Sequence, residues 1–266
     1  MHLQQLPQAQ SQASQDRAGA TQSAQPQSLI PSAWHTTIRD VSIKERDAAG
    51  LALAYSFAAD PLSVYLLSGD NLKPQQAWKL HVRIMTYTFA AYRLKGIVTA
   101  LGPDYDAIAM WTPPGKFMDG CWTTLQSGTW RLAYQLPAEA RRRFFDELVP
   151  ALHNTRERVM GSRNHDCYYL GYIGTKPSAR GKGYASKLIQ SMTDKADAEN
   201  RPMYLESSAQ GNIGFYTKFG FRIKTQIELK RAATPVLLYC MVREPQGGQL
   251  QASSTESSND VDKPEV

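Results

Sequence analysis

A glycine-rich turn, Gly181-Lys182-Gly183, lies directly before an amphipathic segment and is the part of the sequence most suited to bind a charged ligand. Glycine removes a β-carbon where a ligand would approach, so successive backbone amides and the first turn of a helix can point at phosphate oxygens. Arg180 and Lys182 add positive charge to the same turn. The turn therefore predicts a binding cradle for a phosphorylated cofactor.

Three classes of cofactor use such a turn, and the spacing of the residues separates them. A P-loop has a glycine five residues before its Gly-Lys pair and Ser or Thr after it, but Lys176 and Gly183 stand at those positions. A dinucleotide-binding turn has a third small residue, here Ser186, and an acidic residue at the end of the next strand, here Glu206. That class is weakened but stays open, and coenzyme A is the third class.

A second stretch, from Tyr204 to Phe221, combines a strand, a turn and a short helix. Asn212 is a favourable N-cap and Gly220 a favourable helix terminator, so we expect a helix of about two turns between them. The phenylalanines of this helix can face the core, whereas Tyr216 lies about 100° further round the helix axis and can face a cleft.

Together these residues resemble the GNAT acetyltransferase superfamily. Its signature is Arg or Gln, two residues, Gly, one residue, then Gly or Ala, and Arg180, Gly183 and Ala185 match it. Puromycin N-acetyltransferase and its relatives share, in the same order, the motifs Leu205-Glu206-Ser207-Ser208-Ala209, Asn212, Phe215-Tyr216 and Gly220-Phe221. The likeness extends over residues 40–243 and is strong from 168 to 221.

The resemblance implies an α/β (α+β) domain over residues 34–243, with a mixed, mostly antiparallel central sheet flanked by helices. It implies acetyl-CoA as cosubstrate and no metal. The strand segment Ile173-Gly174-Thr175 would separate from its neighbour and bond the pantetheine arm, and Asn212 would hold the cofactor near its thiol. The pyrophosphate would be bound by the cradle residues Arg180, Gly181, Lys182, Gly183, Tyr184, Ala185 and Ser186.

Acetyl transfer to an amine needs a base for the amine and an acid for the departing thiolate. Tyr216 is the candidate acid, because a phenol with a pKa of about 10 is protonated at neutral pH. Glu206 is the candidate base, acting directly or through water, and His165 beside Asp166 is a further candidate. The three cysteines lie outside these motifs, which favours direct transfer in a ternary complex over a covalent acetyl-cysteine.

The elements that must position these residues alternate between helix and strand. Apolar periodicity predicts helices over 42–59 and 74–94, a hairpin of strands 96–102 and 106–112, and mostly helical chain over 118–164. A first strand is expected over 34–40. The last third is predicted to contain strand 168–175, helix 180–199, strand 202–206, helix 212–219 and strands 221–229 and 236–242.

Two of the predicted helices have faces of different character. The inner face of helix 74–94 would carry Trp78, Met85, Phe89 and Tyr92. The arginines Arg141-Arg142-Arg143 would lie on a solvated helix face.

The 266 residues carry 30 Lys and Arg against 24 Asp and Glu, and this charge is unevenly distributed. The Gln-rich residues 1–33 are neutral and the acidic residues 244–266 carry a net charge of −4. Both are predicted to be disordered tails. Residues 34–243 therefore carry +10, which suits a polyanionic partner such as a phosphorylated cofactor.

Other compositional features exclude several classes of protein. The cysteines lie dozens of residues apart, which argues against a disulfide framework and favours a reducing compartment. The longest apolar run, Leu51 to Ala59, is too short to span a bilayer, so we expect a cytoplasmic protein without a membrane partner. Basic and aromatic residues do not interleave as in nucleic-acid-binding proteins, so no nucleic-acid partner is expected.

The resemblance implies an acetyl-CoA-dependent N-acetyltransferase, and we expect its acceptor to be a small-molecule amine of a toxic or antibiotic-like kind. A protein or peptide acceptor would need an open acidic groove, which the basic core disfavours. A non-catalytic acyl-CoA-binding regulator could use the same cradle, but the presence of both Tyr216 and Glu206 disfavours it.

Overall fold

The computed structural model describes residues 29–118 and 120–247. The chain divides into two units, residues 1–31 and 32–266. Most of the predicted N-terminal tail, and residues 248–266 of the predicted C-terminal tail, lie outside the described residues. Within the described part, every helix and strand belongs to the second unit.

A seven-stranded sheet forms the centre of this unit, in the order β1-β2-β3-β4-β5-β7-β6. The strands are β1 (Arg39–Asp40), β2 (Ile97–Leu101), β3 (Ala107–Thr112), β4 (Tyr168–Thr175), β5 (Met203–Ser207), β6 (Arg222–Leu229) and β7 (Val236–Arg243). Among the described strands, β4 and β5 form the one parallel pair, and the other neighbours are antiparallel. The predicted mixed, mostly antiparallel sheet is confirmed.

Helices cover both faces of the sheet. They are α1 (Arg46–Ser56), α2 (Pro61–Leu67), α3 (Pro74–Lys95), α4 (Cys121–Ser127), α5 (Leu132–Gln135), α6 (Ala138–Arg141), α7 (Val149–Met160), α8 (Tyr184–Ala198) and α9 (Ile213–Thr217), with a π-helical segment Arg142–Leu148 between α6 and α7. Short 3₁₀ turns cover Ser32–His35, Ile43–Glu45, Thr129–Arg131, Gly161–His165, Pro177–Ala179 and Gln210–Asn212.

The face of β3, β4 and β5 that packs against α8 forms one hydrophobic core. The apolar stripe of α8 buries Leu188, Ile189, Met192 and Ala196 there, as its spacing predicted, and Ala185 is half-buried. Full burial of a Leu, Ile or Met side chain stabilises a fold by about 1.5 to 3 kcal/mol. This packing therefore fixes the first turn of α8, with the glycine turn before it, against the sheet.

The opposite face of β2, β3 and β4 packs against α1 and α3. Met85, Phe89 and Tyr92 of α3 are buried as predicted, and Trp78 is half-buried. Leu170 of β4 belongs to the α8 core while Tyr172 packs against the α1–α3 core, although residues two apart share one face of a regular strand. The register of β4 against β3 shifts between these two residues, which accounts for the change of face. A third core, with α2 and α7, covers the same face of β5, β6 and β7.

The predicted helix over 42–59 ends three residues too late. The 3₁₀ turn Ile43–Glu45 leads into α1, which ends at Ser56, and the helix α2 begins at Pro61. Asp60 is the N-cap of α2, because its Oδ2 accepts a hydrogen bond from the Ser63 backbone N–H at 3.0 Å. The Asp60-Pro61 pair therefore begins α2, with proline in the first turn, where it is favoured. The same pair also follows the end of α1.

Three further expectations need correction. Residues 34–40 form a 3₁₀ turn and the two-residue strand β1 instead of one continuous strand. α8 begins at Tyr184 and not at 180, because Gly181 and Gly183 adopt φ values of 80° and 75° that cannot continue a right-handed helix. Asn212 does not cap α9, since its own backbone is already helical and its side chain makes no capping hydrogen bond.

The three arginines at 141–143 are not all solvated. Arg141 and Arg142 are exposed, but Arg143 is buried over the ring of Tyr65, with its Cζ 4.6 Å from the ring centroid. Its guanidinium donates hydrogen bonds to the Tyr65 carbonyl and to the Ser68 hydroxyl. These acceptors compensate the burial of the charge, which sequence spacing alone does not reveal.

No single helix in the described ranges combines the length and hydropathy needed to cross a membrane. The pair Ile43–Ser56 and Pro61–Leu67, bent by 101°, reaches that threshold of length and composition only when its two parts are taken together.

Candidate active site

The parallel strands β4 and β5 pair over their first residues and then separate. Their pairs are Tyr168 with Met203, Tyr169 with Tyr204 and Leu170 with Leu205. Beyond Leu170, β4 remains paired with β3 as far as Thr175, but its other edge has no strand partner among the described residues. The Ile173-Gly174-Thr175 segment thus has the separated edge that the resemblance implied.

Gly171 marks the point where the strands part. Met110 of β3 pairs with Tyr172 and Trp111 pairs with Leu170, so Gly171 is the extra residue of a β-bulge in β4. A β-carbon at Gly171 would overlap the Tyr92 hydroxyl group, so a side chain does not fit there. A bulge bends its strand and increases the local twist, which accounts for the departure of β4 from β5 at this residue.

The glycine turn has the conformation of an anion cradle. Gly181 and Gly183 have positive φ, and no neighbouring heavy atom of the described residues lies within 4 Å of a β-carbon built on either one. Gly183 is the N-cap of the 15-residue helix α8, so the amides of its first turn and the positive end of the helix dipole face this open space. Arg180 and Lys182 are exposed beside it.

The other cradle residues contribute main-chain groups. Tyr184 is buried, and its hydroxyl group is hydrogen-bonded to Nδ1 of His35 at 2.8 Å. Lys182 Nζ lies 5.8 Å from the centroid of the Tyr184 ring. Ala185 and Ser186 are half-buried in the first turn of α8, where backbone N–H groups have no carbonyl partner within the helix.

The gap between β4 and β5 opens into a small cleft of about 50 Å³. Both predicted catalytic residues line it, Glu206 from β5 and Tyr216 from α9, together with Asn212 and Ile173. Gly174 and Thr175, the other two residues of the predicted pantetheine segment, do not line this cleft, and Gly174 packs beneath Phe57.

A larger cavity of about 270 Å³ lies on the α1–α3 side of the gap. Its walls are mainly apolar and aromatic, as at Leu66, Met85 and Leu148. The cavity and the cleft share the lining residues Phe57, Asp60, Gly171, Tyr172, Glu206 and Ser208. The two spaces therefore meet at two carboxyl groups, Asp60 and Glu206.

Glu206 has the electrostatic properties of a group that exchanges protons near neutral pH. Burial raises the pKa of its carboxyl group to about 7, against the opposing influence of the Tyr169 and Tyr204 hydroxyl groups and of the Arg156 charge. Its Oε1 is shielded from solvent and has no hydrogen-bond partner among the described residues. A carboxyl group with this pKa can serve as a general base at physiological pH.

Tyr216 is 7% exposed, and burial raises the pKa of its phenol above the ordinary value. The negative charge of Asp60 acts in the same direction. The phenol therefore stays protonated at neutral pH and has a proton to donate.

Asp60 is a site residue that sequence reasoning missed. Its Oδ1 accepts a hydrogen bond from the Ser208 hydroxyl while its Oδ2 caps α2, so both oxygens are oriented by the protein. The charge of Asp60 acts on Tyr216, and also on the Tyr172 phenol and His81 across the cavity. The signal in the sequence was the Asp-Pro pair, whose N-capping role identifies a carboxylate at a helix terminus.

Two histidines differ in their position relative to the cavity, because His81 lines it and His165 does not. His81 lines the cavity and is buried, with Nε2 donating to the Ala54 carbonyl at 3.0 Å. Burial lowers the pKa of His81, so its imidazole is neutral and Nδ1 is an acceptor. His165, the alternative base, lies elsewhere: its ring packs on Phe117 at 4.8 Å, and it lines neither the cleft nor the cavity.

The described residues contain no group of three or more His, Cys, Asp and Glu side chains arranged to hold a metal ion. Cys121 is exposed and Cys167 and Cys240 are buried, all three as free thiols. None of them lines the cleft or the cavity.

Comparison with known proteins bears on the same part of the chain. Residues 151–221 match the acetyltransferase (GNAT) family. An uncharacterized N-acetyltransferase of Schizosaccharomyces pombe is 38% identical over 206 residues, which are 77% of this chain and 82% of that protein.

Two solved structures share the fold at low sequence identity. A mosquito arylalkylamine N-acetyltransferase like 5b has a TM-score of 0.52 at 11% identity, over 78% of this chain and 99% of that one. A structure described as histone acetyltransferase HPA2 and related acetyltransferase from Corynebacterium glutamicum has a TM-score of 0.51 at 19% identity, over 79% and 96% of the two chains.

Proposed function

Since the chain belongs to the GNAT acetyltransferase family, we propose that it transfers the acetyl group of acetyl-CoA to the amine of a small, largely apolar molecule. Transfer occurs directly, within a ternary complex of enzyme, acetyl-CoA and acceptor. The observation that carries this proposal is the meeting of the β4–β5 cleft with the apolar cavity at Asp60 and Glu206.

The donor binds on the α8 side. The diphosphate of acetyl-CoA accepts hydrogen bonds from the amides of residues 181–186, with Arg180 and Lys182 supplying charge. The pantetheine arm follows the unpaired edge of β4. It takes the place of the missing partner strand by forming hydrogen bonds with backbone groups of Ile173. The thioester then lies in the cleft between Glu206 and Tyr216, near Asn212.

The acceptor binds on the α1–α3 side. Its apolar part fills the 270 Å³ cavity. The walls of this cavity are mainly apolar, so the transfer of apolar surface from water into it favours binding. Its ammonium group is attracted to the carboxylates of Asp60 and Glu206, at the end of the cavity that adjoins the thioester. In this arrangement the nitrogen lies next to the acetyl carbon before reaction begins.

In the reaction, Glu206 takes a proton from the ammonium, directly or through a water molecule. The neutral nitrogen forms a bond to the acetyl carbon, and unpaired backbone N–H groups of β4 stabilise the resulting oxyanion. The bond from carbon to sulfur breaks, and Tyr216 donates its proton to the departing thiolate of CoA. The nitrogen loses its second proton as the amide forms, and this proton returns through water to the Tyr216 phenolate, while Glu206 releases the first proton to solvent. The products are an N-acetyl amide and free CoA.

A protein or peptide acceptor fits the structure less well. A groove of about 800 Å³ beside Ser208 is lined by Ala59, Pro61 and residues 232–237. This groove is more open to solvent than the 270 Å³ acceptor cavity. Among its described lining residues the charged one is Arg143. The described lining of this groove offers no carboxylate to a basic peptide, whereas a small amine finds carboxylates in the enclosed cavity.

The proposed function is tested by measuring free thiol release by the full chain with acetyl-CoA and a panel of acceptors. We expect release with 2-phenylethylamine and with tryptamine, and none with the N,N-dimethyl derivative of either amine, whose tertiary nitrogen cannot form a stable amide. Thiol release only with a lysine-rich peptide, or with no acceptor in the panel, would overturn the proposal of a small apolar amine.

A further inference from the structure

Arg156 of α7 places a positive charge beside the acceptor cavity, and no described residue accepts a hydrogen bond from its Nε. Its Cζ lies 4.9 Å from the centroid of the Tyr169 ring, so the guanidinium packs on an aromatic face. Nε of Arg156 is shielded from solvent and has no hydrogen-bond partner among the described residues. Among residues 29–118 and 120–247, no acidic side chain forms an ion pair with Arg156 either.

A small space of about 170 Å³ joins Arg156 to the site. Arg156, His153 and Glu206 line it, and it shares Tyr92, Met118, Val149, Leu152, Tyr169 and Glu206 with the acceptor cavity. It is therefore a side branch of that cavity, with Arg156 at one end and Glu206 where the branch joins. His153 lies on the exposed side and pairs with Glu157 at 3.8 Å.

Two opposite charges thus face one space with unsatisfied polar atoms, Nε of Arg156 and Oε1 of Glu206. An unpaired buried polar atom costs its full desolvation, and the cost is larger for a charged group. A ligand that supplies an anion to Arg156 and a cation to Glu206 removes both costs at once. The planar guanidinium fork matches a carboxylate, which can accept two parallel hydrogen bonds from it.

We propose that Arg156 binds a carboxylate of the acceptor, so that the preferred acceptor is a zwitterionic amino acid with an apolar side chain. The ammonium lies at Asp60 and Glu206, the carboxylate lies in the side branch on Arg156, and the apolar side chain fills the main cavity. This inference rests on the proposed function, because it places the reacting amine at Glu206. Arg156 is here a residue that determines specificity.

The test compares acceptors that differ only in the carboxylate. The full chain is assayed by thiol release with L-phenylalanine against 2-phenylethylamine, and with L-tryptophan against tryptamine. We expect a higher kcat/KM for each amino acid than for its amine. Arg156→Met should lower kcat/KM for the amino acids by about 10- to 100-fold, mainly through KM, and leave the amines within about threefold, because only the amino acids lose a charged hydrogen bond.

Two further variants separate recognition from folding. Arg158→Met changes an exposed arginine on the same helix and should leave all four acceptors unchanged. Arg156→Lys keeps the charge but loses the fork, and should recover part of the preference for amino acids. A loss that is equal for amino acids and amines in Arg156→Met would show that Arg156 acts only through Glu206 or through stability, and it would overturn the inference.

The outcomes distinguish this inference from the proposed function. If the amines are acetylated and the amino acids are not, the inference fails while the proposed function stands. If neither kind of acceptor releases thiol although the protein binds CoA in calorimetry, both fail.

Discussion

The donor side and the acceptor side of the β4–β5 gap are constructed differently. On the donor side, one continuous stretch from β4 to α9 supplies the cradle, the unpaired strand edge, Glu206 and Tyr216. On the acceptor side, the loop before α2 supplies Asp60, α3 supplies His81 and α7 supplies Arg156. Under the proposed function, the donor is held largely by main-chain groups, and the acceptor by single side chains from distant segments.

This difference follows from what each side has to recognise. A diphosphate and an amide-containing arm present hydrogen-bonding groups that backbone amides and a strand edge can satisfy, so few side-chain identities are needed. An apolar amine or amino acid is recognised by the shape of a cavity and by a few charges placed within it. Changes on the donor side should therefore affect all acceptors alike, and changes on the acceptor side should affect some acceptors more than others.

The largest effect is expected for Gly183→Glu on the donor side. The new side chain would occupy the open cradle with negative charge, so calorimetry should detect no CoA binding. Gly115→Glu is a matched control, because Gly115 has a φ of 72°, close to the 75° of Gly183, and equally open surroundings. CoA binding of wild-type strength by Gly183→Glu would place the diphosphate elsewhere.

Tyr216→Phe should lower kcat by about 10²- to 10⁴-fold, because the thiolate then leaves without its proton donor. The loss should be the same for every acceptor, and the affinity for CoA should be retained. Tyr134→Phe, at a tyrosine that is 62% exposed, is the control. A rate close to that of the wild type in Tyr216→Phe would assign the proton donation to another group.

The pH dependence reports on Glu206, where the two sides meet. Its pKa is raised from 4.5 to about 7, so the base is protonated and inactive below pH 7. We expect kcat/KM, which reports the free enzyme, to fall about tenfold per pH unit below that value and to level off above it. Glu206→Gln should be far slower than Glu228→Gln, a change at an exposed glutamate, and should lose this break. A break near 4.5 would mean that Glu206 is not the base.

The smallest effect is expected on the acceptor side, for Asp60→Asn. Asparagine can still cap α2 through its Oδ1, and its NH2 group can donate to the Ser208 hydroxyl, which rotates to accept, so the change removes charge and reverses one hydrogen bond. KM for the acceptor should rise about tenfold, with the CoA affinity unchanged. Asp70→Asn is the control, since Asp70 likewise accepts hydrogen bonds from helix amides, those of Glu139 and Ala140. An unchanged KM in Asp60→Asn would remove Asp60 from acceptor binding.

The same contrast explains what the sequence could predict. The strands, α3, α8 and the cradle follow from local rules: apolar spacing, a proline in the first turn of a helix, and glycines at positive φ. Glu206 and Tyr216 lie on elements that these local rules identify, which is why both could be named as candidates from the sequence. The structure has both of them in the lining of one cleft.

The acceptor side could not be predicted in the same way. His81 lines the main cavity and Arg156 its side branch only because α3 and α7 pack on the same face of the sheet, and no local pattern records that packing. Asp60 was visible only as a helix boundary. The Tyr92 hydroxyl group on α3 leaves no room for a side chain at Gly171, and this contact joins residues far apart in sequence.

The most direct test of this account is a crystal structure of the full chain with CoA and 2-phenylethylamine. The account predicts the diphosphate on the amides of residues 181–186, the CoA sulfur in the cleft beside Tyr216, and the amine nitrogen between Asp60 and Glu206. A CoA molecule bound away from the glycine turn, or an amine in the open groove at residues 232–237, would contradict it.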